Sequence, residues 1–523
     1  MKKGKTLTYV DLLSDNKIHS GYEKGLGLIT PDLGISHPIM IGGGEIFSAP
    51  EFEVFSPFDN RITVGKFQTA TPAIIRAAIA TAQEGFPAWR DREWEERAGI
   101  IRRTAEILDS EKFLLAALIT YECGKNRFEA IAEVGEAIDM LRYHAEIYQK
   151  NKGFIVLTPP ESPRAESRSV MRPYGVFAVI SPFNFPLGLA AGMAGAALIT
   201  GNTIVLKPTS IAPFSVLKLY HAFIDAGVPP DAVQYITGPG RAFGEIITAH
   251  PDVGGIAFTG SREAGMVLHR EFAAKQHYVK PLISEMGSKN PVIVTENADL
   301  EKAVEGVFRS GFGFSGQKCS AASRVYVHES VAGRFINDLR LQVQKLIVGD
   351  PREKDSFIGP LIDEKAVGTF RESVDLVKKD GGRIICGGSV LSEGRYSHGH
   401  YVQPTVVSGL TPGHPLARKE LFVPILIIET FSQFKEAIER ANATDYGLTA
   451  GIFSEDDDQV ACFFNTIQSG VTYANRRRGA TTGAWPGSQP FCGWKASGSS
   501  GRGVGGPYYL TSYMREQAQT RIQ

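Results

Sequence analysis

Apolar residues recur with two spacings along the chain, and the change between them separates the predicted helices from the predicted strands. From Thr71 to about Lys150 the spacing is helical, and one long helix is predicted over residues 95–125. Short apolar runs then alternate with helical runs, beginning at GVFAVIS and continuing through NTIVLKP, AVQYITG and GGIAFTG. This β-α-β-α alternation predicts an α/β protein with a mostly parallel, doubly wound sheet.

The stretch from Pro173 to Leu206 contains no charged side chain, which first suggests a membrane span. However, Pro182, Asn184 and Pro186 interrupt it, and its spacing changes partway from strand-like to helical. A transmembrane helix needs about 20 predominantly apolar residues without such breaks. We therefore interpret the stretch as a buried β-α-β unit and expect no membrane association.

A second α/β series begins at PLISEMG, which places a domain boundary near Ser284 by pattern alone. Residues 153–175 are polar and proline-rich between strand-like ends, and they predict a protruding β-hairpin. The C-terminal GPYYLTSYM is interpreted as a terminal strand. Because an exposed strand edge needs covering, the hairpin and this strand are expected to form a subunit interface of a homodimer or larger homo-oligomer. That interface is expected to bury Tyr508, Tyr509 and Leu510.

Composition and charge exclude several classes of protein. The 523 residues contain 56 Lys and Arg against 56 Asp and Glu, a balance that argues against a broad nucleic-acid-binding face. Hydrophobic residues make up 43% of the chain, enough to exclude general disorder. The five cysteines are odd in number and form no CxxC, and Asp11 interrupts the N-terminal segment before an apolar run of the secretory type. A reducing, cytoplasmic location is therefore expected.

Cys319 is the first candidate for chemistry, because GFSGQKCSAASR surrounds one thiol with small, polar and glycine residues. A structural cysteine more often lies among Leu, Val and Ile, as Cys386 does in RIICGG. Access and the neighbouring Lys318 are both expected to favour the thiolate. The alternative is an inert thiol in a glycine-rich loop.

Three further residues or pairs follow predicted strands, where α/β sheets bind ligands. Asn184 in SPFNFP is placed to donate to an oxyanion, or to cap a turn. Glu285 in SEMGSKNP is placed to act as a base with a raised pKa, or to form an ion pair. Gly260-Ser261 in AFTGSREAG offers backbone N–H groups to a phosphate, or an ordinary helix N-cap.

Other polar clusters favour plainer interpretations. Ser454 and the acidic residues after it predict an N-cap with an acidic first turn. Residues 476–478, three arginines, are interpreted either as a solvated face or as an attraction for an anionic substrate. His398 and His400 have no third ligand nearby, so no metal site is expected.

Taken together, these motifs resemble the aldehyde dehydrogenase superfamily. The order SPFNFP, GNTIVLKP, FTGS, EMGSKNP, GQKCSAASR, KELFVPIL, TDYGLTAGIF and QPFCGWKASG matches, and the resemblance runs from about Pro38 to Gln517. It implies two Rossmann-like doubly wound domains with an oligomerisation hairpin. The implied dinucleotide-binding domain comprises residues 1–152 and 176–284, and the implied catalytic domain residues 285–490. Residues 153–175 and 505–523 would form the hairpin and terminal strand.

The resemblance also implies residue roles and a cofactor, NAD. Cys319 would be the nucleophile, Glu285 the base for hydrolytic water, and Asn184 with the Cys319 backbone N–H the oxyanion donors. The implied cofactor-binding residues are Ser181, Lys207, Ser210, Gly260, Ser261, Glu420 and Phe422. The chemistry would be thiolate addition to an aldehyde, hydride loss to nicotinamide, and hydrolysis of a thioester to the acid.

The sequence departs from the family pattern at four positions. Ser288, Val423 and Cys492 each stand where the family usually has glycine. Ser210 stands where NAD-preferring relatives often have a glutamate on the ribose 2′-hydroxyl. Because the carboxylate that would repel a 2′-phosphate is missing, NADP is expected to be tolerated as well.

The C-terminal region and the context of Cys319 look like those of Δ1-pyrroline-5-carboxylate (L-glutamate γ-semialdehyde) dehydrogenases. The resemblance implies oxidation of that semialdehyde to L-glutamate in proline degradation, with a carboxylate site at Ser320, Gly483 and Ala484 and an apolar wall at Phe491. The alternatives are another carboxylated, aliphatic or aromatic aldehyde, a CoA-acylating enzyme, or a non-enzymatic relative. The presence of both Cys319 and Glu285 argues against the last two.

Overall fold

The computed structural model describes residues 16–47, 50–478 and 486–522, which alternate between helices and short strands. Its helices are α1 (Asn16–Ile29), α2 (Pro72–Arg90), α3 (Trp94–Ser110), α4 (Lys112–Cys123), α5 (Arg127–Lys150), α6 (Pro186–Ile199), α7 (Phe214–Asp225), α8 (Gly240–Ala249), α9 (Arg262–Lys275), α10 (Leu300–Phe312), α11 (Glu329–Gln344), α12 (Glu364–Lys379), α13 (Pro415–Arg418), α14 (Phe434–Asn442) and α15 (Asp457–Thr466).

The strands of the first half are β1 (Ser36–His37), β2 (Ile39–Ile41), β3 (Gly44–Ile46), β4 (Glu51–Ser56), β5 (Asp59–Gln68), β6 (Ile155–Thr158), β7 (Ala165–Pro173), β8 (Val176–Ser181), β9 (Thr203–Pro208), β10 (Val233–Tyr235), β11 (Val253–Thr259) and β12 (Leu282–Glu285). Those of the second half are β13 (Asn290–Val294), β14 (Ala322–His328), β15 (Arg383–Cys386), β16 (Val390–Leu391), β17 (Tyr401–Val402), β18 (Thr405–Ser408), β19 (Ile425–Phe431), β20 (Tyr446–Gly447), β21 (Thr449–Phe453), β22 (Val471–Ala474), β23 (Trp494–Lys495) and β24 (Met514–Ile522).

The first large sheet has the strand order β12-β11-β8-β9-β10-β2-β3, and its first five strands run parallel. The charge-free stretch forms β8, α6 and β9, whose residues are almost all buried. A parallel pair covered on both faces requires such continuous apolar strands. The carboxyl ends of β8, β9, β11 and β12 therefore meet at one edge of this sheet.

The second large sheet has the order β15-β18-β19-β14-β13-β21-β22, with only β15 antiparallel to its neighbour. Strand β12 is the last to join the first sheet and β13 the first to join the second, so the two series meet between Glu285 and Asn290. The segment that carries Cys319 connects α10 to β14. None of the helices in the described ranges is long and apolar enough to cross a membrane.

A third sheet joins the hairpin to the C-terminal strand, in the order β24-β7-β6. The terminal strand is not GPYYLTSYM, as predicted, but Met514–Ile522, and Tyr509–Tyr513 form a 3₁₀ turn before it. The predicted burial of Tyr508, Tyr509 and Leu510 by a partner is wrong for the last two, because their own chain leaves them only 2% and 1% exposed. Tyr508 is 70% exposed.

Two helix predictions also need correction. The helix predicted over residues 95–125 is two helices, α3 and α4, which are separated at Glu111. The helix after Ser454 is capped by Asp456, whose side chain accepts the N–H groups of Asp458 and Gln459. The side chain of Ser454 instead accepts the N–H of Asp456 at 3.2 Å.

Candidate active site

One cleft of about 570 Å³ opens at the carboxyl ends of the first sheet and extends to the segment that carries Cys319. It brings together nine of the predicted residues, from five separate stretches of the chain. They are Ser181, Asn184, Lys207, Ser210, Gly260, Ser261, Cys319, Glu420 and Phe422. Its volume is typical of ligand-binding clefts, and its lining includes Cys319, so a bound ligand can reach the thiol.

A tight left-handed turn precedes the thiol. Phe314, Ser315 and Gly316 have φ angles of 49°, 54° and 69°, a conformation that is costly for the first two. The Oγ of Ser315 donates to the carbonyl of Gly359 at 2.8 Å, and the Nε2 of Gln317 donates to the carbonyl of Pro360 at 3.2 Å. These contacts hold the backbone in the turn and so fix the path that leads to Cys319.

The segment after the thiol is held by Asn290 at the start of β13. Its Nδ2 lies within hydrogen-bond distance of the carbonyls of Cys319 and Ala321, at 2.7 and 2.8 Å, and of the Oγ of Ser288 at 3.0 Å. Its Oδ1 accepts the backbone N–H of Thr449 at 2.9 Å. Asn290 lies within the EMGSKNP motif, but no role for it is predicted from the sequence. Its position just after the motif of Glu285 was the one available signal.

The electrostatic environment of Cys319 differs from the expected one. The Nζ of Lys318 donates to both carboxylate oxygens of Glu129, each at 2.7 Å, and both side chains are buried. The expectation that this lysine favours the thiolate is therefore wrong, since its charge is matched by a carboxylate. Burial, together with the negative charges of Glu420 and Glu285, raises the pKa of the Cys319 thiol to about 12.

Glu285 ends β12, and its Oε2 accepts the backbone N–H of Gly493 at 2.9 Å. Burial raises the pKa of this carboxyl well above its ordinary value, and the Gly493 N–H opposes that rise. The residue before this glycine is Cys492, whose thiol donates to the carbonyl oxygen of Gly470 at 3.7 Å. A Cβ on Gly493 itself would lie 2.1 Å from the carbonyl oxygen of Ser497.

Polar groups with few protein partners line the other end of the cleft. The Nζ of Lys207 donates to the carbonyl of Pro208 at 2.8 Å, and burial lowers the pKa of its ammonium to about 8. The Oγ of Ser210 donates to the carbonyl of Gly238 at 2.8 Å, and the Oγ of Ser261 accepts the N–H of Ala264 as the N-cap of α9. The buried Oγ of Ser181 has no hydrogen-bond partner among the described residues.

Glu420 is fixed against the loop that follows Glu285. Its Oε1 accepts the N–H of Ser288 at 2.8 Å, and burial raises the pKa of its carboxyl to about 7. A Cβ on Gly287 would lie 2.3 Å from its Oε2, so a larger residue there would displace the Glu420 carboxylate. Ser288, which departs from the glycine of the family pattern, is buried, and its Oγ lies 3.0 Å from the Nδ2 of Asn290. Phe422, at a φ of 60°, packs edge-on against Phe183 with the ring centroids 5.8 Å apart.

The structure tests little of the predicted substrate site. Gly483 and Ala484 lie outside the described residues. Ser320 and Phe491 are buried, and neither lines the 570 Å³ cleft. Phe491 exchanges two backbone hydrogen bonds with Val504, at 2.9 and 3.0 Å.

Members of the plainer clusters lie in ion pairs and contacts near the surface. The guanidinium of Arg477 binds the carboxylates of Glu301 and Glu305 on α10, which places it in a surface ion pair. His400 lies 3.7 Å from the carboxylate of Glu364. Across the part of the chain that the structure describes, no group of three or more His, Cys, Asp or Glu side chains is arranged to hold a metal ion.

Comparisons with known proteins agree with this geometry. The model of the aldehyde dehydrogenase family matches residues 47–518. The 1-pyrroline-5-carboxylate dehydrogenase 1 of Halalkalibacterium halodurans is 36% identical over 503 residues, which cover 95% of each chain. The 1-pyrroline-5-carboxylate dehydrogenase of Anoxybacillus flavithermus is 37% identical over 504 residues, again 95% of each chain.

Solved structures are similar over the same length. The Thermus 1-pyrroline-5-carboxylate dehydrogenase with bound NAD superposes with a TM-score of 0.92 at 30% identity, covering 98% of this chain and 97% of that one. A betaine aldehyde dehydrogenase of Staphylococcus aureus in complex with NAD+ gives a TM-score of 0.88 at 27% identity, covering 94% and 95%. The family and α/β fold predicted from the motifs are thereby confirmed, and the chain belongs to the aldehyde dehydrogenase family.

Proposed function

We propose that this enzyme oxidises L-glutamate γ-semialdehyde, the open form of 1-pyrroline-5-carboxylate, to L-glutamate, with NAD as the hydride acceptor and Cys319 as the nucleophile. The observation that carries the proposal is the cleft that reaches Cys319 and is lined by Asn184, Lys207 and Glu420. The relatives named 1-pyrroline-5-carboxylate dehydrogenase at 36–37% identity support the choice of substrate.

The cleft suits a dinucleotide in its chemistry. Lys207 and Glu420 offer a donor and an acceptor for ribose hydroxyls, and the unpartnered Oγ of Ser181 offers a further polar contact. The N-terminus of α9, at Gly260 and Ser261, offers N–H groups to a pyrophosphate. The chemistry that the cofactor supplies when bound is acceptance of a hydride at its nicotinamide ring. Because Ser210 brings no carboxylate, NADP is proposed as a second cofactor.

The first half of the reaction takes place at Cys319. Its thiolate adds to the aldehyde carbon, and the carbonyl oxygen becomes an alkoxide that accepts hydrogen bonds from the Asn184 amide and the Cys319 backbone N–H. When this adduct loses its hydride, the C=O bond re-forms and a thioester remains on Cys319. The thiol proton passes to water as the thiolate forms, a step that the raised pKa of the ligand-free thiol makes unfavourable.

The second half of the reaction depends on Glu285. Its carboxylate takes a proton from water as the water oxygen adds to the thioester carbon, and the C–S bond then breaks to release glutamate and the thiolate. A carboxyl whose pKa is raised by burial is a stronger base than an exposed one. A CoA-acylating enzyme would not need this group.

The substrate site is proposed on the side of Cys319 away from the cofactor. Ser320 and the backbone of Gly483 and Ala484 would bind the α-carboxylate, and Phe491 would pack on the aliphatic chain. The experiment is formation of NADH from glutamate semialdehyde by the wild-type enzyme and by C319A, which is expected to be inactive. Wild-type turnover of another carboxylated, aliphatic or aromatic aldehyde alone would reject this substrate.

Assembly into a homodimer or larger homo-oligomer is part of the proposal. The apolar side chains of β6 are unusually exposed for a strand, with Val156 at 58% and Leu157 at 75%. Such a row is a candidate contact for a second copy of the chain. Light scattering at micromolar concentration tests it, and a monomer would reject it. The free cysteines support a reducing, cytoplasmic location.

A further inference from the structure

A fully buried ion pair lies against two loops of the proposed reaction centre. One loop carries Asn184, and the other is the left-handed turn before Cys319. Lys125 is in the connection between α4 and α5, and its Nζ donates to the Oε2 of Glu133 on α5 at 2.7 Å. Both side chains are 0% exposed. Desolvation of two charges commonly offsets their attraction, so stability alone is a weak reason for such a pair.

The carboxylate of Glu133 fixes the start of α6, the helix that follows Asn184. Its Oε1 accepts the backbone N–H groups of Leu187 at 3.0 Å and Gly188 at 3.2 Å. Phe185, the N-cap residue of this helix, makes no capping hydrogen bond with its side chain. Glu133 therefore supplies the missing cap from another helix and holds the backbone within three residues of Asn184.

The ammonium of Lys125 lies between two aromatic rings, one from each loop. Its Nζ is 3.4 Å from the ring centroid of Phe185 and 4.8 Å from that of Phe314. Phe185 directly follows Asn184, and Phe314 belongs to the left-handed turn before Cys319. Because a cation attracts the faces of both rings, Lys125 couples the positions of the two loops.

We propose that Lys125 and Glu133 are positioning residues for the oxyanion donor, which set the distance between the Asn184 amide and the Cys319 thiol. Neither side chain lines the cleft, so each acts through Phe185, Phe314 and the start of α6. The inference rests on the proposed addition of the thiolate to an aldehyde. Donors for an oxyanion act over short, fixed distances, so a small displacement of Asn184 weakens them.

The test is the double variant K125M/E133Q, which keeps the side-chain shapes and leaves no unpaired buried charge. Single-turnover hydride transfer at saturating substrate and cofactor is expected to fall by at least about tenfold, because oxyanion stabilisation is weakened. The KM values are expected to change by less than about threefold, since ground-state binding is untouched. Alkylation of Cys319 by iodoacetamide, followed by mass spectrometry of its peptide, forms no oxyanion and is expected to keep its rate within about twofold.

Coupling to Asn184 separates this role from a merely structural one. If the pair acts through Asn184, N184A should slow hydride transfer much less in the K125M/E133Q background than in the wild type. The two factors by which it slows the step are expected to differ by about fivefold or more. The matched control is E122Q, because Glu122 is also fully buried and caps a helix, α7, through the N–H groups of Phe214 and Ser215. The hydrogen bonds of Glu122 go to the start of α7 and to neither loop, and hydride transfer by E122Q is expected to stay within about threefold of the wild type.

Additive effects of N184A, an equal loss in E122Q, or unchanged hydride transfer in K125M/E133Q would each overturn the inference. If the double variant does not fold, F314L replaces it in the test, because it removes one ring and keeps the ion pair. Its hydride transfer is expected to fall by a smaller factor, with the KM values and the alkylation rate again nearly unchanged. Unchanged hydride transfer in F314L would then overturn the inference. An inactive wild-type enzyme would instead reject the proposed function.

Discussion

Replacement of Glu285 by glutamine isolates the hydrolytic step of the proposed reaction. The carboxylate Oε2 accepts one hydrogen bond, from the Gly493 N–H at 2.9 Å, and an amide oxygen can accept the same bond. Glu285 is half-buried by surface area, and glutamine has the same size. E285Q therefore removes the base and its negative charge while it leaves the local packing in place.

The expected slowing of thioester hydrolysis follows from the loss of the general base, because glutamine cannot take a proton from water. General base catalysis contributes about 10²- to 10⁴-fold, or roughly 3–5 kcal/mol of barrier, and thioester hydrolysis should slow by that factor. Hydride transfer should change by less than about threefold, because Asn184 and the Cys319 N–H remain. Loss of the negative charge also lowers the pKa of the Cys319 thiol, which favours addition.

Stopped-flow absorbance of the reduced nicotinamide measures both steps in one experiment. E285Q should give a burst close to one equivalent per active site, followed by slow turnover, and mass spectrometry should find the acyl group on Cys319. If the burst rate falls as much as the steady-state rate, Glu285 acts before the thioester and the reasoning is wrong.

Three further outcomes test the geometry of the site. N290A removes at most three hydrogen bonds, because the amide NH2 has two hydrogens for the carbonyls of Cys319 and Ala321 and the Oγ of Ser288, and the amide oxygen accepts one N–H from Thr449. This loss should cost about 3–5 kcal/mol, seen as a lower melting temperature by calorimetry, and an unchanged melting temperature would contradict it. Because the Cys319 thiol has a raised pKa, its alkylation in the ligand-free enzyme should still accelerate with rising pH above about 9, whereas a plateau near the ordinary value of about 8.5 would contradict the burial. S210E should lower kcat/KM for NADP relative to NAD by at least about tenfold, and an unchanged ratio would place the 2′-phosphate elsewhere.

The strand ends that carry the site were predictable because continuous apolar runs in the sequence indicate buried strands. The charge-free stretch between Pro173 and Leu206 forms β8, α6 and β9 as expected, and Asn184 follows β8 directly. Apolar runs of strand length, broken by glycine and proline, leave few other secondary structures that the stretch could form. The order of the motifs then supplied the family.

Long-range partners were not predictable in the same way. Lys318 appeared to favour the thiolate because it neighbours Cys319 in sequence, but its charge is matched by Glu129, 189 residues earlier in the chain. The pair of Lys125 and Glu133 escaped notice for a related reason, since burial of a charged residue depends on what packs around it. Single-sequence patterns carry no such information.

The C-terminal error has a different cause. GPYYLTSYM is rich in residues with high β-propensity, which favours a strand in isolation. In the fold, Tyr509 stacks on His144 with ring centroids 5.8 Å apart, and its hydroxyl bonds that of Tyr513 at 2.7 Å. Packing inside the chain therefore overrides the local preference, and the strand begins only at Met514.

Substrate choice tests the central proposal most directly. Glutamate semialdehyde carries an α-carboxylate and an ammonium that unsubstituted aldehydes of similar length lack, and unpaired buried donors cost about 1–3 kcal/mol each. The measurement is kcat/KM for glutamate semialdehyde against pentanal and hexanal, with NAD saturating. We expect a preference for the semialdehyde of about 100-fold or more, and equal turnover of the simple aldehydes would contradict the proposed substrate.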